Sequence, residues 1–263
     1  MDLTVYPKSR IAKLPRPLRA PAALARNLVR RRRRPPYVYE SDGLATAYHS
    51  PFLEDRDWDQ TYWRVEADWF PNWHADLRWR VWMLTRLARQ AAPLDGNFAE
   101  FGVFRGGTAY MTLDATEPIP EGRRLYLFDT FEGTPPEELT ETEAGEGLGE
   151  GQYAGTSAAH VAEFLDRWSE TIEIREGDVA ETLRETETGP LALVHMDLNA
   201  SAPTELALEY AYPRLLPGAI VVFDDYGDPT YRDQRAVIER FFADRLEEPI
   251  ALPTGQAFVI RAG

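Results

Sequence analysis

Acidic residues directly follow two apolar runs in this 263-residue chain. The first run ends at Asp197 in V-H-M-D-L-N, and the second ends at Asp224 and Asp225 in V-F-D-D-Y-G. If the two runs are neighbouring parallel strands, their carboxyl ends meet at one sheet edge and the three carboxylates converge. Converging carboxylates repel one another unless they are protonated or bridged by a cation. Because oxygen donors suit Mg²⁺ or Ca²⁺, Asp197, Asp224 and Asp225 are predicted metal ligands.

The same residues have a structural interpretation. One aspartate could cap a helix while another accepts hydrogen bonds from loop amides. His195 lies two positions before Asp197 and therefore points to the same face of the sheet. It is either a buried structural residue or a general base.

A glycine-rich turn, F-A-E-F-G-V-F-R-G-G, follows another apolar run. Gly102, Gly106 and Gly107 let the backbone approach a ligand, and the free amides of the helix beginning there favour an anionic group. Val103 stands where a G-x-G-x-x-G motif has its second glycine, so a dinucleotide is disfavoured. A glycine-rich turn that binds nothing is the alternative.

Two further aspartates end predicted strands. Asp129 follows L-Y-L-F and is placed to accept hydrogen bonds from both hydroxyls of a ribose, which together with the glycine turn predicts an adenosine-containing ligand. Gly177 and Asp178 follow T-I-E-I-R-E. The Asp178 carboxylate either contacts the adenine amino group or caps the helix that begins at Val179.

The elements that position these residues alternate between short apolar runs and helical segments, which predicts an α/β fold with a mostly parallel sheet. The predicted strands are Asn97–Val103, Arg124–Asp129, Thr171–Arg175, Leu191–Asp197, Ala219–Asp224 and Gln256–Arg261. The predicted helices are His74–Gln90, Gly107–Ala115, Ala158–Trp168, Pro203–Tyr210 and Tyr231–Phe242. In the first helix, Trp79 and Trp82 are expected to pack against other side chains. The last strand, after I-A-L-P-T, predicts a closing β-hairpin.

The net charge of −14 combines two opposite parts. Residues 1–36 carry 11 Lys or Arg and one acid, whereas the remainder carries 18 Lys or Arg and 42 Asp or Glu. The acidic part is expected to repel nucleic acid. The basic head, with its run Arg30–Arg34, is a solvated tail, an arm on another subunit, or a contact with a membrane surface or nucleic acid. No apolar run is long enough for a transmembrane segment, and the absence of cysteine excludes disulfides and thiol catalysis.

Two segments do not follow the alternation. Residues 37–74, rich in Tyr, Trp and acids, are predicted to form an irregular or helical cap that ends at His74, itself a helix cap or packing residue. Residues 131–155 hold seven glutamates and six glycines, and such a length is unusual for a simple connection. This acidic insertion is either a disordered loop or a lid over bound substrate, because it follows a strand end.

The combined motifs resemble the macrocin O-methyltransferase (TylF-type) family of class I S-adenosylmethionine-dependent enzymes. The matching segments, in the expected order between Asp76 and Arg261, are E-F-G-V-F-R-G-G-T-A, L-F-D-T-F-E-G, G-D-V-A-E-T-L, Y-P-R-L-L-P-G-A-I-V-V-F-D-D-Y-G and A-F-V-I-R. The resemblance implies a Rossmann-like sheet of seven strands, with helices on both faces, within residues 75–263. It also implies Mg²⁺ dependence and homo-oligomers with N-terminal segments near the active site.

The resemblance also assigns residues to the cofactor. Glu100, Gly102, Gly106 and Asp129 would hold the methionine and ribose parts, and Asp178 would lie by the adenine. Arg105, Gly107, Phe131 and Gly177 belong to the same matched motifs and complete the expected cofactor site. One departure concerns the family pattern D-x-D-x-Y, in which this chain has Asn199 for the second acid and Ser201 for the tyrosine. Asparagine offers an oxygen but no charge, so metal affinity, acceptor choice or turnover can differ.

The expected function is therefore cation-assisted transfer of a methyl group from S-adenosylmethionine to a sugar hydroxyl of a glycosylated natural product, in the cytoplasm. Asp197 is the expected base, with His195 and Glu150 in reserve. One alternative is methylation of a catechol-like aromatic diol, for which the same metal chemistry would serve. The other is a non-catalytic protein that binds an adenosyl ligand.

Overall fold

The computed structural model describes residues 37–71, 76–149, 153 and 155–263. The basic head, His74 and Glu150 lie outside these residues, and what was predicted for them stays a prediction. Within the described chain, residues 37–40 and 45–49 belong to one compact unit, and residues 41–44 and 50–263 belong to a second. In the first unit, the Val38 N–H donates a hydrogen bond to the Thr46 carbonyl at 2.8 Å.

The described residues form nine strands and eight α-helices. The strands are β1 (Tyr39–Ser41), β2 (Leu44–Thr46), β3 (Asn97–Phe101), β4 (Leu125–Asp129), β5 (Ile172–Glu176), β6 (Leu191–Met196), β7 (Leu215–Phe223), β8 (Ile250–Ala251) and β9 (Ala257–Ile260). The helices are α1 (Arg56–Trp69), α2 (Arg78–Ala91), α3 (Gly107–Thr116), α4 (Glu141–Gly145), α5 (Ala158–Phe164), α6 (Val179–Glu185), α7 (Ser201–Ala211) and α8 (Arg232–Phe242). In the described part of the chain, no helix combines the length and apolar character that a bilayer crossing requires.

Seven strands form one sheet in the order β5-β4-β3-β6-β7-β9-β8. The first five are mutually parallel, whereas β9 pairs antiparallel with both β7 and β8. This confirms the predicted mostly parallel sheet and its closing hairpin. From β3 the chain adds β4 and β5 on one side of the sheet and then returns to place β6 on the other side of β3. Open α/β sheets bind ligands at the carboxyl ends of the two strands where the order reverses in this way.

Both faces of the sheet are covered by helices, as predicted. Because successive side chains of a strand point to opposite faces, Phe98 and Ala99 belong to different apolar clusters. Phe98 shares its cluster with α2, α3 and α5, and Ala99 shares the other with α7 and α8. Central strands buried on both faces account for the nearly continuous apolar runs in the sequence.

The remaining differences from prediction are local. The predicted helix Ala158–Trp168 ends at Phe164 and is followed by a 3-10 turn over Asp166–Trp168. The acidic insertion contains α4, which begins with a capping box between Thr140 and Glu143. The cap is helical at α1, and the rings of α2 pack as expected: the Trp79 ring lies 5.3 Å from Phe52 and the Trp82 ring 5.0 Å from Trp58.

Candidate functional site

The strand register gathers the predicted acidic residues at one edge of the sheet. Phe101 pairs with Met196, and Met196 pairs with Phe223. The residues that follow therefore lie side by side: the Asp197 N–H donates to the Phe101 carbonyl at 2.7 Å, and the Asp224 N–H donates to the Met196 carbonyl at 3.0 Å. A cavity of about 260 Å³ opens here, and its lining includes Gly102, Asp129, Asp197, Asp224 and Asp225.

Two nitrogen-bearing side chains hold the three carboxylates together. Arg80 Nη1 donates to Asp224 Oδ2 at 2.6 Å and to Asp225 Oδ1 at 3.0 Å. Asn199 Nδ2 donates to Asp197 Oδ1 at 2.9 Å and to Asp225 Oδ2 at 2.8 Å. The repulsion expected among the acids is thus reduced by a guanidinium and an amide of the same chain. We call Asp197, Asp224 and Asp225 the acidic cluster.

The pKa values within the acidic cluster move in different directions. Burial, together with the charges of Asp224 and Asp225, raises the pKa of Asp197 well above its usual range. Burial and the charge of Asp224 raise the pKa of Asp225 to about 6. Burial opposes ionisation of Asp224 as well, but the charges of Arg80 and His195 hold the pKa of Asp224 below its usual range. The cluster therefore combines one carboxyl group that favours its ionised form with two whose ionisation is opposed.

His195 lies behind the acidic cluster and is 2% exposed. Its Nε2 is 3.4 Å from Asp224 Oδ1, and its Nδ1 is 3.7 Å from Glu100 Oε2. Burial lowers the pKa of the imidazole, but the two carboxylates outweigh this effect and raise it to about 10. A carboxylate on each side of the ring thus favours its protonated form. These contacts fit the structural interpretation of His195, and its role as a base stays a prediction.

The glycines of the turn are explained by close packing at two positions and by backbone conformation at the third. Gly102 has φ +84°, and a Cβ built there would lie 2.0 Å from the Asp197 carbonyl oxygen. Gly106 is in the left-handed region at the start of α3. A Cβ at Gly107 would lie 2.2 Å from the ring of Trp69. Glycine at position 107 thus makes room for the side chain of Trp69, and contact of Gly107 with a ligand stays a prediction.

Asp129 shapes the turn through its carboxylate. Oδ2 accepts hydrogen bonds from the Val103 and Phe104 amides at 2.6 and 2.7 Å, and Oδ1 accepts one from the Phe131 amide at 2.7 Å. Asp129 still lines the cavity, so its contact with a ribose stays a prediction. The Phe131 ring is buried in the apolar cluster of α2 and α3, and contact of Phe131 with the cofactor stays a prediction.

Two other residues assigned to the cofactor have partners within the protein. Glu100 is 2% exposed and accepts a hydrogen bond from Thr108 Oγ1 at 2.6 Å. Arg105 donates to the Asp68 carbonyl at 2.7 Å and to the Gly155 carbonyl at 3.4 Å. Arg105 thus joins the end of α1 to the acidic insertion. Arg105 is not among the residues that line the cavity in the described part of the chain.

The structural alternative for Asp178 is present in the structure. Its Oδ1 accepts hydrogen bonds from the Ala180 and Glu181 amides at 2.7 and 3.2 Å, which caps α6. Gly177 has φ +133° and donates from its N–H to the Asp129 carbonyl at 2.9 Å. Contact of Asp178 with an adenine stays a prediction.

The acidic insertion forms one wall of the cavity. Glu143 Oε1 accepts a hydrogen bond from the Ser201 N–H at 2.7 Å, at the start of α7, and Thr140 Oγ1 donates to Asp233 Oδ2 at 2.6 Å. These contacts fix α4 against the neighbouring helices. The cavity-lining residues of the insertion are Gly133, Thr134, Pro135, Glu138, Gly149 and Tyr153. The insertion therefore borders the cavity, and its role as a lid over substrate stays a prediction.

Comparison with known proteins connects this geometry to a family. The family model described as macrocin-O-methyltransferase (TylF) matches residues 79–254. The chain belongs to this family. The matched residues include the glycine turn, Asp129 and the acidic cluster of this TylF-family chain.

Two curated relatives are O-methyltransferases of natural products. The 8-demethyl-8-(2,3-dimethoxy-alpha-L-rhamnosyl)-tetracenomycin-C 4'-O-methyltransferase of Streptomyces olivaceus is 28% identical over 150 residues, which cover 54% of this chain and 58% of the relative. The mycinamicin III 3''-O-methyltransferase of Micromonospora griseorubida is 26% identical over 147 residues, with coverages of 52% and 58%. The matched part of the chain thus spans little more than half the length of either relative.

Solved structures share the fold. The calicheamicin methyltransferase CalS11 superposes with a TM-score of 0.63 at 23% identity, covering 81% of this chain and 94% of that chain. The O-methyltransferase NovP gives a TM-score of 0.61 at 20% identity, with coverages of 70% and 80%. At these identities the likeness establishes a common Rossmann-like architecture.

The acidic cluster of this TylF-family chain fits a divalent cation by its donor set. One ligand atom from each of His195, Asp197 and Asp224 lies within 4.8 Å of the others. Asn199 links Asp225 to Asp197, and Arg80 links Asp225 to Asp224, but the place of Asp225 in the ligand set stays a prediction. Carboxylate oxygens are the donors that Mg²⁺ prefers.

Sequence reasoning did not find Arg80 and did not foresee the orientation of Asn199. The Asn199 amide nitrogen faces the carboxylates, and its Oδ1 accepts a hydrogen bond from the Tyr231 hydroxyl at 3.4 Å. In this structure the Asn199 oxygen therefore faces Tyr231, and its predicted role as a metal ligand stays a prediction. Nothing in the spacing of α2 singles out Arg80, since its partner Asp224 is 144 positions away.

Proposed function

We propose that the protein transfers the methyl group of S-adenosylmethionine to a sugar hydroxyl of a glycosylated natural product, assisted by a divalent cation. Membership of the macrocin O-methyltransferase family supports this proposal. The two curated relatives are named for O-methylation of a rhamnosyl-tetracenomycin and of mycinamicin III. The expected cytoplasmic location and homo-oligomeric state belong to the same proposal.

The observation that carries the proposal is the composition of a single cavity. One part of its lining contains Gly102 and Asp129, at the ends of β3 and β4, where an adenosyl ligand is expected. Another part contains the acidic cluster, at the ends of β6 and β7. Because Gly102 and Asp197 are in backbone contact, a donor held by the first part and a hydroxyl held by the second would lie next to each other.

The reaction is a direct displacement. The acceptor oxygen forms a bond to the methyl carbon, the bond between that carbon and sulfur breaks, and its electron pair stays on sulfur to give S-adenosylhomocysteine. The hydroxyl proton passes to the Asp197 carboxylate. Asp197 suits this role because it lines the cavity and because its backbone lies against Gly102, where the donor is expected. Asp197, Asp224 and Asp225 would hold Mg²⁺, which when bound makes a coordinated hydroxyl more acidic and orients it.

The first test is binding of S-adenosylhomocysteine to the purified full chain by calorimetry, with Mg²⁺ and then with a chelator. The second is mass spectrometry of products from S-adenosylmethionine and a panel of rhamnosides, other glycosides and catechols. We expect methylated glycosides that disappear with the chelator. Methylation of catechols alone would establish the aromatic alternative, and cofactor binding without any transfer would support the binding protein.

A variant pair tests the assignment of the base. Asp197→Asn should abolish transfer while binding of S-adenosylhomocysteine persists. Asp244→Asn, a change of the same kind at an exposed position, should leave both unchanged. Transfer retained in Asp197→Asn would remove Asp197 from the mechanism.

A further inference from the structure

Arg80 lies between two groups of acids. Its Nη1 contacts the acidic cluster, while Nε and Nη2 donate to Asp42 Oδ2 and Oδ1 at 3.0 and 3.3 Å. The side chain is 13% exposed, so these are contacts of a largely buried guanidinium. Every nitrogen of the guanidinium therefore has a carboxylate partner, on one side at Asp42 and on the other at Asp224 and Asp225.

Arg80 occupies the oxygens that a cation would need. Asp224 Oδ1 accepts a hydrogen bond from Gln256 Nε2 at 2.7 Å, and Asp224 Oδ2 accepts one from Arg80. Asp225 Oδ1 accepts from Arg80, and Asp225 Oδ2 accepts from Asn199. All four oxygens thus have donors within the protein. Two of them face a positive charge, which would oppose a divalent cation at close range.

Asp42 gives the guanidinium a second place to bind. It contacts Arg80 through both carboxylate oxygens, in the paired geometry that makes such contacts strong. If Nη1 leaves the acidic cluster, Arg80 keeps these two hydrogen bonds and does not become a buried charge without a partner. The structure therefore contains both a competitor for the cation and a carboxylate that can hold the competitor.

We propose that Arg80 is the internal counter-ion of the acidic cluster and competes with the divalent cation for Asp224 and Asp225. The cation then binds as Nη1 gives up these carboxylates and the guanidinium stays on Asp42. The strength of the Arg80–Asp42 pair sets the affinity for the cation. This proposal rests on the cation site of the proposed function.

The test measures Mg²⁺ binding directly, by calorimetry on the full chain without acceptor. Arg80→Met removes the competing charge and should tighten Mg²⁺ binding by about tenfold to a hundredfold. Arg78→Met is the matched control, because Arg78 lies on the same helix, is 14% exposed and pairs instead with Asp59 and Asp76. It should leave Mg²⁺ binding within about twofold of the original chain, since its charge is neutralised locally.

Two further variants keep the test decisive. Arg80→Gln retains an amide donor without the charge and replaces Arg80→Met if the latter does not fold, with binding of S-adenosylhomocysteine as the measure of folding. Asp42→Asn leaves the guanidinium to the acidic cluster and should weaken Mg²⁺ binding. In an Arg80→Met background this effect of Asp42→Asn should shrink, as a double-mutant cycle would show.

Several outcomes overturn the proposal. Mg²⁺ binding that is unchanged or weaker in both Arg80 variants shows that Arg80 shapes the cluster and does not compete with the cation. Tightening of equal size in Arg78→Met shows a general charge effect. If neither the original chain nor any variant binds Mg²⁺, both the competition by Arg80 and the proposed cation site are refuted. Methyl transfer in chelator, measured separately, reports whether the rest of the proposed function survives.

Discussion

Replacing Gly102 by alanine tests the contact on which the site depends. Gly102 has φ +84°, and a Cβ there would lie 2.0 Å from the oxygen and 2.6 Å from the carbon of the Asp197 carbonyl. Gly122 has the same φ of +84° but has nothing within 4 Å of an added Cβ. The pair Gly102→Ala and Gly122→Ala therefore separates the cost of the contact from the cost of the backbone conformation.

The two costs can be estimated. A left-handed conformation costs a residue with a Cβ about 1–2 kcal/mol, and both variants incur it. Gly102→Ala must in addition push apart the ends of β3 and β6, and overpacking of this kind costs about 1–3 kcal/mol more. At about 2–4 °C per kcal/mol for a chain of this size, Gly102→Ala should melt about 2–12 °C below Gly122→Ala.

Thermal unfolding followed by circular dichroism provides the first measurement, and calorimetric titration of S-adenosylhomocysteine provides the second. Displacement of Asp197 from the glycine turn should weaken cofactor binding in Gly102→Ala but not in Gly122→Ala. Equal melting temperatures for the two variants, with equal cofactor affinity, would refute the idea that close approach of the two strand ends requires glycine at this position.

Two further predictions concern stability and the insertion. Burial raises the pKa of Glu247, but hydrogen bonds from the Ala262 amide and Arg261 outweigh this and lower it from 4.5 to about 2. Because the pKa of Glu247 is lower in the folded chain than in the unfolded chain, its stabilisation of the fold is complete above pH 4.5 and is lost as the pH falls toward 2. The urea midpoint of Glu247→Gln should therefore lie below that of the original chain at pH 6, and the two midpoints should converge in acid. A difference between the midpoints that does not change with pH would contradict this reasoning. Glu143→Ala leaves the amides of Thr140 and Ser201 without their acceptor. Proteolytic cleavage within residues 131–149, mapped by mass spectrometry, should therefore become faster while cofactor binding persists. An unchanged cleavage rate would show that other contacts hold α4 in place.

Most of the sheet could be predicted because its signals are local. Strands buried on both faces produce unbroken apolar runs, and the glycine and aspartate residues that end them mark their carboxyl edges. The two-residue strand β8 has no such run and was foreseen only as part of a hairpin. Helix α4 begins with Thr140 and Glu143, a capping box that is visible in the sequence. The many glycines and glutamates around it concealed this signal.

The sequence predicts the acidic cluster but not the contact of Arg80 with it, and the difference has a physical reason. Asp197 and Asp224 come together because parallel strands end at one edge, which a sequence pattern can indicate. Arg80 reaches the cluster from a helix, and an arginine beside the buried stripe of Val81 and Leu84 is typical of an ordinary solvent-facing position. Repulsion among the three acids predicts that a cation is present. It does not predict whether the cation is a metal or a side chain, and the structure provides the side chain.

Asn199 belongs to the same electrostatic arrangement. Its φ of +56° is a conformation that asparagine adopts more readily than most residues, and it turns the amide nitrogen toward Asp197 and Asp225. An aspartate at this position would place another carboxylate against Asp197 and Asp225. The single guanidinium of Arg80 already contacts three carboxylates, those of Asp42, Asp224 and Asp225. With Asn199 donating two hydrogen bonds and Arg80 supplying a charge, the cluster is partly neutralised from within. The departure from the family pattern at position 199 and the Arg80 contact therefore act in the same direction, because both lower the net negative charge of the cluster before a cation binds.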